Sequence, residues 1–202
     1  MAKFKSEDLL NELKEDVSRL VEAAQFFKQS DKSKLVYQVD KEKWSVVQVL
    51  EHLNAYGRFY LPHIEKAMAS GEGQHAAWFQ SGYWGEKFTR SMKPTNVVEI
   101  KNKMKGMKKF AFSNNLNVDT VLKEFKEQQE RLISLLEAAK KSDLTGSHVP
   151  ITLTKLIKIR LGDAFRFLVA HEQRHMIQAR NTLRSTGVTT DKFPVILQVV
   201  QQ

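Results

Sequence analysis

The chain contains no cysteine. Disulfides, thiolate ligands and a cysteine nucleophile are thereby excluded, and any metal must be held by nitrogen and oxygen. No apolar run approaches the ~20 residues that span a bilayer. The first ten residues carry Lys3, Lys5, Glu7 and Asp8 where a signal peptide would have an apolar core. A cytoplasmic protein with no membrane partner is therefore expected. Repeats, low-complexity tracts and an internal linker are also missing, so the 202 residues read as one domain, 1–202, with a full core of its own.

What is present is ordinary in bulk and uneven in detail. Apolar residues make up 42% and charged residues 27% of the chain, with a formal net charge of +9. Much of that excess lies between Glu86 and Lys109, where Lys87, Arg90, Lys93, Lys101, Lys103, Lys105, Lys108 and Lys109 face only Glu86 and Glu99. Without a recognition helix or a stacking motif, this reads as a solvated loop and not as a nucleic-acid site.

Four amphipathic helices follow from the apolar spacing. Leu10, Leu13, Val17, Leu20, Ala24 and Phe27 recur at intervals of 3 and 4, which predicts a bundle helix from about Ser6 to Phe27. Ser45 with Gln48 three residues later is a capping box. It opens a second helix that runs to about Ala69 and should be kinked at Pro62. A third begins near Asp119, carries Val121, Leu122, Phe125, Leu132, Leu136 and Ala139, and ends at Lys140 to Ser142. Gln129 interrupts its stripe. The fourth spans Leu161 to Ser185, with Asp163 in its first turn and Arg180 and Arg184 in its last, as the helix dipole favours. Residues 144–159 read as an extended connector. Nearly 50 residues separate the second and third helices, enough to cross the bundle and allow those two to run parallel.

The chemistry concentrates on the fourth helix. Ala164, Leu168, His171, His175, Gln178 and Thr182 step by 3 and 4, so His171 and His175 occupy positions where leucines would pack. Two buried imidazoles cost energy unless something satisfies them. A shared divalent ion would do so, and so would hydrogen bonds to nearby carboxylates. His52 lies beside Val49, Leu53, Tyr56 and Phe59 on the second helix. It is a candidate third ligand that alone would read as a core histidine. Three histidines on one side of an ion leave positions open for water or substrate. His63 falls about 16 Å further along that helix at 1.5 Å per residue, too far to share the ion. His75, Trp78, Phe79, Tyr83 and Trp84 cluster in the crossover and read as packing, with a substrate mouth or a dimer contact as alternatives. Glu172 and Arg174 read as a surface or interhelix ion pair, with Glu172 a candidate proton acceptor or hydrogen-bonding support for a ligand.

The segments Trp44-Ser45-Val46-Val47-Gln48-Val49-Leu50-Glu51-His52-Leu53 and Phe167-Leu168-Val169-Ala170-His171-Glu172-Gln173-Arg174-His175-Met176-Ile177-Gln178, in this order and spacing, resemble the DinB-like superfamily over nearly the whole chain. The resemblance implies an all-α fold: a left-handed four-helix bundle in up-down-down-up order with a long crossover between helices two and three, often as a homodimer. It also implies a divalent ion (Zn, Ni, Fe or Mn) on His52, His171 and His175. Relatives include metal-dependent transferases and isomerases that use low-molecular-weight thiols such as bacillithiol or mycothiol. The activity so implied is transfer of a small thiol to an electrophilic substrate, or isomerisation. A non-catalytic, dimerising, stress-related module is the alternative. His171 to His175 also spell H-E-x-x-H, the zinc-peptidase signature. That reading lacks its third ligand, since position 181 is asparagine and Met176 to Gln202 hold Asp191 as the sole acid. It also lacks the upstream strands.

Overall fold

A computed structural model describes residues 1–40, 42–71, 75–94, 115–152 and 154–197. Four long helices form a bundle: α1 (Ser6–Lys28), α3 (Val46–Ala69), α5 (Val118–Ala138) and α6 (Leu161–Ser185), with short helices α2 (Lys32–Val36) and α4 (Tyr83–Met92) between them. Two antiparallel strand pairs flank it. Strand β1 (Lys3–Lys5) pairs with β2 (Trp78–Gln80), and β3 (His148–Ile151) with β4 (Thr154–Arg160).

The expected helix bounds are close to those observed. Ser45 Oγ accepts from Gln48 N while Gln48 Oε1 accepts from Ser45 N, the predicted reciprocal cap of α3. Helix α3 is continuous through Pro62. Where an extended connector was expected, β3 and β4 form a hairpin. Its alternating Val149, Ile151 and Ile159 turn inward, a period-2 pattern that Pro150 and the lysines obscure in the sequence.

Cross-helix contacts fix the directions. Asn54 reaches Val121, Arg58 reaches Glu124 and Arg131 reaches Glu65, so α3 and α5 advance together and are parallel. Lys14 of α1 pairs with Glu137, and Lys32, four residues past the end of α1, pairs with Asp119, so α1 is antiparallel to α5. Trp44 stacks near His175 and Tyr60 near Phe167, making α3 antiparallel to α6. The result is up-down-down-up, and the long connection between α3 and α5 is what permits it.

That connection is more than a tether. Its helix α4 packs on the outer face of α6, which explains why α6 is buried almost all round from Leu161 to Arg174. Asp163, fully buried in the first turn of α6, accepts from Ser81 Oγ at 2.5 Å and Gly82 N at 2.8 Å, and pairs with Arg166 at 3.1 Å. Arg166 also pairs with Glu86 at 3.0 Å and lies over the Phe4 ring. Of the crossover aromatics, Phe79 is buried, but Trp78, Tyr83 and Trp84 are exposed, with Lys3 over Trp78 and Lys87 over Tyr83 and Trp84. Packing accounts for Phe79 alone. The basic stretch from residue 95 to 109 lies outside the described residues.

The hydrophobic core falls into two halves. One half contains Leu13, Val17, Tyr60, Leu132 and Phe165, and the other Leu20, Phe27, Leu50, Phe125 and Ile177. Between them lie buried polar groups from three of the bundle helices: His52 and Asn54 from α3, Gln129 from α5, and His171, Glu172 and Gln173 from α6.

The junction of α4 and α6 predicts a sign. A glycine-to-alanine change within a helix ordinarily stabilises by about 1 kcal/mol. At Gly85 an added Cβ would sit 2.1 Å from Asp163 Cγ, so Gly85→Ala should instead destabilise by about 1–3 kcal/mol, the usual range for overpacking. Urea unfolding measures this, and a stabilised variant would contradict the packing described.

Candidate metal centre

His171 and His175 stand one turn apart on α6, and α3 brings His52 to them from the facing helix. One ring nitrogen from each lies within 4.8 Å of the other two. His52 Nε2 and His171 Nε2 are 3.2 Å apart. Two imidazoles each about 2.1 Å from a tetrahedral ion have nitrogens about 3.4 Å apart, so the spacing suits a shared ion. His175 Nδ1 lies 2.9 Å from Gln178 Oε1, leaving its Nε2 for the centre.

The rings are held by aromatic neighbours. Tyr56, one turn after His52, stacks on His171 at 4.0 Å between centroids. Trp44 lies against His52 at 5.0 Å and His175 at 6.4 Å. Neither residue stood out in the sequence as part of a site, although Tyr56 follows His52 at the i+4 position that shares its face. His63 is not part of the cluster; its Nδ1 bonds to Phe59 O. His75 and His148 are exposed.

Burial sets the protonation. It pushes the His52 imidazole down to about 3, with the charge of His175 adding to the effect. Burial likewise pushes His175 down to about 4, against the opposing hydrogen bond that its Nδ1 donates to Gln178. His171 is held well below its ordinary value by burial, then by His175 and His52. All three rings are therefore neutral at physiological pH, with lone pairs available. Among the described residues His171 Nδ1 is buried without a hydrogen-bond partner, and none of their carboxylates satisfies this ring in place of an ion. A donor set of three neutral nitrogens fits a borderline divalent metal.

Glu172 departs from the ion pair expected of it. Its side chain is buried in the polar layer, where Glu172 Oε1 accepts from Gln129 Nε2 at 3.1 Å. Burial pushes its carboxyl up to about 8, opposed by that hydrogen bond. The polar residue that broke the stripe of α5 is thus its partner. Arg174 is likewise buried. Its neighbour Gln173 donates to Ile196 O at 3.4 Å.

Comparison with known proteins agrees with this geometry. A model of the DinB superfamily matches residues 8–179. The chain belongs to the DinB superfamily. Among solved structures it is similar to YfiT from Bacillus subtilis, described as a probable metal-dependent hydrolase with an unusual four-helix bundle topology. The two share 18% identity at a TM-score of 0.50, covering 94% of this chain and 91% of YfiT. At that identity the likeness is one of fold. No curated protein matches the chain.

The buried carboxyl generates a pH test on chelated, metal-free protein. A group whose folded pKa is about 8 and whose unfolded value is 4.5 takes up a proton on folding between those limits, so its contribution to stability falls as pH rises through them. Glu172→Gln keeps an acceptor for Gln129 and has no proton to lose. Its melting temperature relative to the parent should therefore rise from pH 5 to pH 8.5. A difference that stays flat or shrinks would contradict a buried, proton-bearing Glu172.

Proposed function

We propose that this DinB-superfamily protein is a metal-dependent enzyme that transfers a small thiol to an electrophile, with His52, His171 and His175 holding one Zn, Ni, Fe or Mn ion. The observation that carries the reading is the meeting of three neutral imidazoles, those of His52 and His171 buried and that of His175 partly so. A divalent ion bound there would supply Lewis acidity, lowering the pKa of a thiol or water at its open position.

The chain's own residues then have distinct tasks. Trp44 and Tyr56 hold the imidazole planes and keep bulk water from them. His175, partly exposed, marks the side from which a substrate approaches. Histidines committed as ligands cannot serve as acid or base. The thiol proton must pass to solvent, because Glu172, the neighbouring carboxyl, already carries a proton until the pH approaches about 8. In the transfer, sulfur bonds to the electrophilic carbon and the leaving group departs with the bonding pair. A hydrolytic reaction at the same centre is the second reading, favoured by the description of YfiT. A cytoplasmic homodimer is the proposed setting.

Activity should follow metal loading. Holo protein, chelated protein and His171→Ala are compared using small thiols and a chromogenic electrophile, with water as the competing nucleophile in thiol-free controls. Turnover in the holo sample that drops at least about a hundredfold in the other two supports the enzyme. Equal rates in all three would leave the non-catalytic metal-binding module.

A further inference from the structure

The ligand His175 has a partner on its own helix that the family-level reading leaves without a role. A ring that ligates through Nε2 carries its remaining proton on Nδ1, and that proton needs an acceptor to fix the tautomer and the ring plane. Gln178 Oε1, 2.9 Å from His175 Nδ1, is that acceptor. The position lies three residues on, on the same helical face, so the contact is built into α6 itself.

The chemistry of the acceptor is as informative as its position. A carboxylate there would strengthen the imidazole as a ligand and place a negative charge next to the ion. An amide fixes the same tautomer while adding no charge. The three ligands are also neutral, and Arg174, one residue before His175, is buried and bears on both histidines of α6 by its positive charge. A dication held there would have its charge offset by none of its three ligands.

We propose that Gln178 is a positioning residue that locks His175 in its Nε2-ligating tautomer while withholding negative charge, so that the centre selects an anionic exogenous ligand, the class to which a thiolate belongs. This rests on the metal-centre reading above. An anion is preferred because it offsets the charge of the ion, which none of the three imidazoles does, and in a partly buried site that attraction is weakly screened.

The test uses full-length protein loaded with Co2+ alone, with thiocyanate as the anionic probe, both followed by the absorption of the cobalt ion. Metal affinity is read by competition with a chromophoric chelator. Gln178→Leu removes the acceptor and should weaken Co2+ binding about 10- to 100-fold, while leaving thiocyanate affinity of the loaded protein within about twofold of the parent. Gln178→Glu restores the acceptor and adds the charge. It should bind Co2+ more tightly than the parent and thiocyanate about tenfold more weakly. Opposite shifts in one variant are what a packing role cannot produce. Equal weakening of Co2+ binding in both variants, or unchanged thiocyanate affinity in Gln178→Glu, would overturn the inference and leave the metal centre standing. Failure of the parent to take up Co2+ would overturn the centre itself.

Discussion

The bundle is organised around a buried polar layer that its own hydrophobic core does not require. Apolar side chains at His52, Asn54, Gln129, His171 and Glu172 would join the two core halves into one and spare the cost of desolvating polar groups. Instead the layer holds a carboxyl pushed up to about 8 and imidazoles pushed down to about 3 and 4. Such shifts measure how poorly a dry interior tolerates charge. A layer of this kind is tolerated where its groups are satisfied by one another or by something bound. The imidazoles meet one another across 4.8 Å or less, and an ion is the partner that would satisfy all three at once.

The rest of the architecture serves that layer. The parallel run of α3 and α5 places His52 opposite α6 while Gln129 comes in from the diagonal helix to hold Glu172. The crossover that makes the parallel run feasible also supplies α4, which closes the outer face of α6. The Asp163 cluster pins that crossover two turns before His171. Helix α6 is therefore covered almost all round up to Arg174, and His175 just beyond it is partly exposed. A centre that is rigid below and approachable above is what a site with an open coordination position needs.

Much of this could be read from the residues alone. The helices announced themselves through 3-and-4 spacing and the capping box at Ser45, and the length of the second connection implied the parallel pair. The histidines stood out because imidazoles replaced leucines on a seam. Contacts between distant segments were not legible. Nothing local to Gln129 points to Glu172, 43 residues on, so Glu172 was expected in an ion pair. The signal available was the break in the stripe: a polar residue at a core position asks for a buried partner. Strands β1 and β2 and helices α2 and α4 were missed for a related reason, since they are stabilised by docking on the bundle and not by their own periodicity. Tyr56 read as an apolar neighbour of His52, and Trp44 carried no role of its own, until the fold set them against the imidazoles.

The central claim is that the three histidines bind one ion. Metal content of the purified protein, reconstituted with Zn2+ and freed of loose metal, tests it most directly when set beside the His171→Ala, His175→Ala double variant. The account predicts about one equivalent per chain in the parent, the stoichiometry of a single three-histidine site, and near-complete loss in the variant. A variant that folds and retains its full equivalent of zinc would contradict it.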